Sequence, residues 1–217
     1  MTRAVAHAGS QSISELSPAT VAVTLCGCIT SRLPCSKRSG CLEVRAFVRD
    51  EAKIPEDLKS KVESVVGDVT DAKQVADAVA GRDLVVVVLG TREDLGPTTV
   101  LSQGMKNIID AMKAHNVELV SVCLSTFLFL KLEAVPAMFR DVTEDHQRMF
   151  DMIKSSGLKW VAILPPHIAE TPKSKYTVTF DSSPGRAISK HNLGAFLVEC
   201  LENPNYHQKV CGIANTS

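Results

Sequence analysis

The sequence predicts an α/β fold, a doubly wound parallel sheet with helices on its faces, and three observations carry the prediction. Leu84–Leu89 is six consecutive apolar residues, four of them valine, followed by Gly90, Thr91 and Arg92. A strand with no polar face is one buried on both sides of a parallel sheet. Strand-like stretches at Glu43–Val48, Val62–Val66, Val117–Val122 and Leu158–Leu164 alternate with stretches of helical periodicity, the pattern of a parallel sheet with crossover helices. The 217 residues suit one domain, and only 5% are aromatic, so Val, Ala and Leu supply most of the apolar side chains.

Each element has its own signal. Glu43–Val48 ends at Arg49 and Asp50, and Pro55–Lys61 is a turn or short helix. Val62–Val66 closes at Gly67, Asp68 and Val69. Asp71 is an N-cap with Gln74 at the capping-box position, Val75, Ala78 and Val79 form the stripe, and Gly81 ends the helix. Pro97 suits the first turn of a helix whose apolar face runs through Val100, Gly104, Ile108, Ala111 and Met112 to His115. Val117–Val122 is followed by Cys123, Leu124 and Ser125. Asp141 begins a helix with Val142, Met149, Phe150 and Ile153 inward, and Gly157 terminates it. Leu158–Leu164 ends at Pro165, Pro166 and His167, and Tyr176–Phe180 alternates like an edge strand. Ser189 caps a last helix with Leu193, Phe196, Leu197, Cys200 and Leu201 inward, and the chain from Pro204 is a loose tail.

Composition excludes several classes. With 24 basic and 24 acidic residues the formal net charge is zero, so neither nucleic acid nor a membrane surface is an expected partner. No apolar stretch approaches the ~20 residues that span a bilayer. Four of the seven cysteines cluster at Cys26, Cys28, Cys35 and Cys41, at C-x1-C-x6-C-x5-C spacing rather than the usual pairs of zinc sites. Reduced thiols in a cytoplasmic protein are the simpler reading, and a zinc-stabilised N-terminal module is an open alternative.

Residues 1–42 read as an atypical segment, poorly ordered or only partly folded, ahead of a domain over residues 43–217. They are rich in Ser, Thr, Ala and Cys, with Glu15 the only acid. They contain neither a clean signal peptide nor a basic amphipathic leader. In a Rossmann-like sheet of order 3-2-1-4-5-6 the first strand lies between the second and fourth. Val21–Cys26 is the one upstream candidate for that slot. A glycine-rich turn should follow, so that backbone N–H groups can receive a pyrophosphate. Gly27-Cys28-Ile29-Thr30-Ser31-Arg32-Leu33-Pro34 has one glycine and a proline instead. First strand and glycine-rich loop are therefore atypical or missing.

The strand ends carry the candidate chemistry. Arg49, with Lys53, occupies the place where an arginine suits the 2′-phosphate of NADP, and Asp68 could accept from an adenine amino group. His167 follows two prolines where a ligand would sit. There is no G-x-S-x-G elbow to make Ser125 a nucleophile. Neither Tyr176 nor Tyr206 begins a Y-x-x-x-K pair, so a reduction here takes its proton from another group.

The runs Phe47-Val48-Arg49-Asp50, Gly67-Asp68-Val69, Leu89-Gly90-Thr91-Arg92, Pro97-Thr98-Thr99-Val100, Ala111-Met112-Lys113-Ala114-His115, Pro165-Pro166-His167-Ile168, Tyr176-Thr177-Val178-Thr179 and Ile188-Ser189-Lys190-His191 closely resemble the biliverdin reductase B family of NADPH-dependent flavin reductases. The resemblance covers residues 43–202. It implies a cytoplasmic monomer with an NADP-binding Rossmann fold that reduces flavins (FMN, riboflavin) and the linear tetrapyrrole biliverdin IXβ. It places Arg49, Lys53, Asp68, Val69, Leu89, Gly90, Arg92, Leu101, His146, His167 and Ile168 at the NADPH site. Ser125 matches the serine beside the nicotinamide and His167 the histidine beside the substrate. Cys123 and Cys200 match cysteines implicated in S-nitrosyl transfer. Residues 1–42 depart from the family, which opens on a strand and G-x-x-G-x-x-G. A catalytically weak or inactive variant that binds ligand, or acts as a thiol-redox protein, is the alternative expectation.

Overall fold

The computed structural model describes residues 20–25, 43–91 and 94–216. An eight-stranded sheet carries the molecule. Its strands are β1 (Thr20–Leu25), β2 (Glu43–Val48), β3 (Val62–Val66), β4 (Leu84–Val88), β5 (Leu119–Cys123), β6 (Lys159–Leu164), β8 (Tyr176–Phe180) and β10 (Lys209–Asn215), in spatial order β3-β2-β1-β4-β5-β6-β10-β8. All neighbours are parallel except the last pair, in which β8 runs antiparallel along β10. A small parallel pair, β7 (His167–Ala169) and β9 (Ala187–Ser189), lies outside it. The helices are α1 (Glu56–Lys59), α2 (Ala72–Val79), α3 (Val100–Ala114), α4 (Arg140–Lys154) and α5 (Lys190–Glu199). The Rossmann-like fold expected from the sequence is the fold observed.

The central slot is filled. Val21 to Thr24 register against Val44 to Phe47 on one side, and Val21 to Leu25 against Leu84 to Val88 on the other. The first strand is thus present within the atypical segment, and it spares β2 and β4 two rows of unpaired backbone groups.

Strand β4 shows why an all-apolar run was needed. Successive side chains point to opposite faces. Val85 and Val87 enter a core under α2, α3 and α4, with Met105, Ile108, Met112, Met149 and Ile153. Leu84, Val86 and Val88 enter a second core under α5, with Ile163, Leu193 and Leu197. Gly81 and Gly157, at φ +70 and +81, reverse the chain after α2 and α4 in a backbone region where a side chain is strained.

Three expectations need correction. The stretch after Pro204 is not a tail: β10 enters the sheet between β6 and β8, and Cys211, Ile213 and Ala214 are core. Helix α3 starts at Val100, so Pro97 belongs to the loop before it. Gln74 does not complete a capping box on Asp71. Asp71 accepts from the N–H groups of Lys73 and Gln74, while Gln74 Oε1 accepts from Asp68 N–H at 2.8 Å.

Inserting β10 requires a glycine. A Cβ on Gly212 would lie 1.9 Å from the Ser182 carbonyl oxygen and 2.9 Å from its carbon, both backbone atoms. Gly212→Ala should therefore destabilise the fold by about 2–3 kcal/mol in urea denaturation. A loss below about 0.5 kcal/mol would mean that the 181–185 turn yields freely.

Candidate dinucleotide site at the carboxyl edge of the sheet

The parallel strands bring their carboxyl ends to one edge, and the strand order reverses on the two sides of β1. Ligands of open α/β sheets sit at such a switch point. The residues that follow β2, β3, β4, β5 and β6 are the ones the sequence singled out.

Beyond β2, Asp50 accepts from Ala52 N–H at 3.0 Å and starts a short 3-10 turn, Glu51–Lys53. Glu51 is tied to the Ser64 hydroxyl of β3. This turn leaves Arg49 exposed at the sheet edge. The Lys53 side chain and Arg92 lie outside the described residues. Beyond β3, a Cβ on Gly67 would lie 2.4 Å from the Phe47 ring and 2.6 Å from Gln74 Oε1, so this tight passage admits only glycine without repacking. Asp68 is exposed, and its Oδ1 accepts from the Thr70 N–H (2.8 Å) and hydroxyl (2.7 Å). Those bonds, the backbone one first, hold its carboxyl below the usual range against partial desolvation, and the Arg49 charge adds to them. Arg49 and Asp68 thus sense each other across the β2 and β3 ends.

Two other residues that the resemblance places at the site have buried side chains. Val69 is buried over Gly104, and its carbonyl accepts from Asn107 Nδ2 at 2.9 Å. Leu101 is 1% exposed and belongs to the core. Neither side chain is open to a ligand. Leu89 and Gly90 are half-buried at the end of β4. The loop after them is closed by the Thr91 hydroxyl on the Asp94 carbonyl and by Gly96 N–H on Asp94 Oδ1 at 3.0 Å.

Beyond β5 and β6, Ser125 is half-buried, and its Oγ accepts from Phe127 N–H at 3.2 Å. That bond leaves the hydroxyl proton to donate. His167 is exposed at the head of β7, and Ile168 packs against the α5-side core. Cys123 is buried. Cys200 is 0% exposed, its thiol donates to the Leu197 carbonyl at 3.6 Å, and burial holds its pKa well above the ordinary thiol value. A thiol held protonated in the core is inert, so Cys200 is a packing residue in this fold.

His146 lies on α4, next to Asp145. Burial lowers its pKa to about 4, against an opposing pull from the Asp145 carboxylate, so the ring is neutral at pH 7. Its Nδ1 and the Thr143 hydroxyl are shielded from solvent and have no hydrogen-bond partner among the described residues. Such orphaned groups mark a place where function or movement is expected. Sequence reasoning missed Asp145, a fully buried carboxylate that caps α3 from α4 through the Leu101 N–H (2.9 Å). Its signal was an Asp-x-x-Arg pair, Asp145 and Arg148, on an otherwise polar helix.

An exposed arginine beside an exposed, ionised aspartate puts both a cation and a hydrogen-bond acceptor at the β2 and β3 ends. The stretch Gly27–Pro34, where a pyrophosphate turn would fall, lies outside the described residues. So do Cys26, Cys28, Cys35 and Cys41. Among the described residues no cluster of His, Cys, Asp or Glu could hold a metal ion. No described helix is long and apolar enough to cross a membrane.

Sheet order, switch point and strand-end residues together define a dinucleotide-binding α/β protein. The chain belongs to the NAD(P)H-binding family, whose model matches residues 36–204. Similar solved structures include a Rossmann-fold NAD(P)-binding family protein from Shigella flexneri, 20% identical, covering 92% of this chain and 95% of that one at a TM-score of 0.72. A short-chain dehydrogenase/reductase from Veillonella parvula, solved with NADP, is 12% identical, with coverage of 92% and 95% and a TM-score of 0.70. An oxidoreductase from Lactococcus lactis is 16% identical, covers 91% of each chain and has a TM-score of 0.70. At these identities the likeness is one of fold.

The buried imidazole makes a pH prediction. With its pKa lowered from 6.5 to about 4 on folding, His146 binds a proton in the unfolded chain but not in the folded one between those values. Its contribution is complete above pH 6.5 and is lost as the pH falls toward 4, about 2–3 kcal/mol by pH 4.5. Urea denaturation at pH 8 and pH 4.5 should show that loss in the parent protein and a loss smaller by this amount in His146→Gln. Equal pH dependence in the two proteins would refute the assignment.

Proposed function

We propose that the chain is an NADPH-dependent reductase that transfers hydride to flavins, FMN and riboflavin, and to biliverdin IXβ. The carrying observation is Arg49, exposed at the carboxyl end of β2 beside Asp68, the place where this fold receives the 2′-phosphate of NADP. Membership of the NAD(P)H-binding family supports the dinucleotide, and the sequence resemblance over residues 43–202 supports the acceptors. A soluble cytoplasmic monomer is part of the same reading.

NADPH, when bound, supplies the hydride that a flavin accepts at N5 together with one proton. Arg49 supplies the charge that selects the phosphorylated ribose, and Lys53 lies in the turn that follows it. Asp68, kept ionised by Thr70, accepts from the adenine amino group. Gly90 lets the ligand approach the end of β4. The neutral His146 adds a polar face without adding charge. Ser125, with its hydroxyl proton available, orients the nicotinamide side, and His167, exposed to solvent, relays the proton. The thiol-redox alternative draws no support from Cys200, which is sealed in the core.

Titration with NADPH, then addition of FMN with the nicotinamide absorbance followed, tests this reading. Binding and turnover are expected, and a protein that binds no NADPH would overturn it. Arg49→Ala should raise the NADPH dissociation constant about 10- to 100-fold, the worth of a charge-assisted contact, and change that for NADH less than about threefold. Equal weakening of both would remove Arg49 from the 2′-phosphate.

A further inference from the structure

The amino end of α3 is held from another helix. The first N–H groups of a helix have no partner within it, and a local Ser, Thr, Asp or Asn usually supplies one. Thr99, at the N-cap, makes no side-chain capping bond. The Thr98 hydroxyl accepts from Val100 N–H at 3.2 Å, and Asp145 of α4 accepts from the next two N–H groups, Leu101 (2.9 Å) and Ser102 (3.4 Å), through Oδ2. Its Oδ1 accepts from Arg148 Nε at 3.1 Å, and Arg148 Nη2 donates to the Thr98 carbonyl at 2.7 Å. Asp145 is 0% exposed. A buried carboxylate is costly unless its partners are complete, and here four contacts complete it and its arginine.

A local cap would stabilise α3 equally well. A cap from α4 does something more: it joins two pieces of the candidate site. The loop that ends at Thr98 begins at Gly90, and His146 is the residue after Asp145. We infer that Asp145 and Arg148 are positioning residues, a bracket that holds Thr98 and the first turn of α3 against α4 so that the end of β4 and His146 are presented together to the dinucleotide. The inference rests on the reductase reading above.

Arg148 is the residue to change, because its side chain is 42% exposed and its replacement does not open the core. Arg148→Gln frees the Thr98 carbonyl and leaves Asp145 without its charge partner, and Arg148→Lys restores the charge. Three measurements apply: amide hydrogen exchange at Leu101 and Ser102 without cofactor, the NADPH dissociation constant, and KM for NADPH against kcat with FMN. In Arg148→Gln, exchange at both amides should quicken at least about tenfold, and the dissociation constant and KM should rise about 5- to 50-fold. The kcat should stay within about threefold, and Arg148→Lys should recover part of the affinity. Quicker exchange with unchanged NADPH affinity would reduce the bracket to a structural staple and overturn the proposal, as would unchanged exchange. A parent protein that binds no NADPH would overturn the functional reading and this proposal together, whereas a parent and an Arg148→Gln variant that bind equally well would overturn this proposal alone.

Discussion

Backbone pairing across the slot between Glu43–Val48 and Leu84–Val88 decides whether this chain has one sheet or two pieces. Each parallel strand leaves N–H and C=O groups on both flanks, and a buried flank left unpaired costs free energy at every residue. Thr20–Leu25 meets both flanks in register. Everything else presupposes that closure. The two cores lie on opposite faces of one continuous sheet, and the strand ends converge on one edge only because the sheet is continuous.

That edge is divided by chemistry. At the β2 and β3 ends lie charge and ionised oxygen: Arg49, and Asp68 fastened by Thr70. At the β5 and β6 ends lie a half-buried hydroxyl and an exposed imidazole, Ser125 and His167, over an apolar body. Between them the end of β4 brings Leu89 and Gly90, both half-buried, to the edge. A ligand that fits is anionic at one end, planar and weakly polar at the other, and long enough to cross the switch point. A nicotinamide dinucleotide, the ligand of the family this chain belongs to, has that shape.

How far the sequence disclosed this depends on what each residue answers to. Glu43–Val48, Val62–Val66 and Tyr176–Phe180 were read to the residue, because sharp polar or glycine boundaries enclose their apolar runs. Lys209–Asn215 was missed because its central glycine and flanking polar residues resemble a loop. It is a strand because Gly212 lets the chain pass the Ser182 carbonyl and because β6 and β8 supply its hydrogen bonds. Leu101 and Val69 occupy contact positions of the resembling motif, and their burial shows the part they play in packing. Asp145 was invisible for the opposite reason. A carboxylate in a polar helix reads as solvent-facing, and its burial follows only from where α3 begins.

Closure of the sheet and cradling of a phosphate make different demands on sequence. A central strand needs backbone groups and side chains that fit a pleated, buried surface, which many sequences meet. A pyrophosphate turn needs glycines at fixed spacing, because the backbone itself must approach the ligand. The segment before Glu43 meets the first demand with Thr20–Leu25 and departs from the second at Gly27–Pro34, where one glycine stands. Each charge-assisted backbone bond to a phosphate is worth about 1.5–3 kcal/mol, so losing several shifts the burden of affinity to the contacts that remain. Under the proposed reading those are Arg49 and Asp68 at the adenosine end and the start of α3, which Asp145 and Arg148 hold. Contacts that NADPH and NADH share cancel in the ratio of their affinities, so a weaker pyrophosphate cradle lowers both affinities alike and leaves the discrimination between them to whatever group meets the 2′-phosphate.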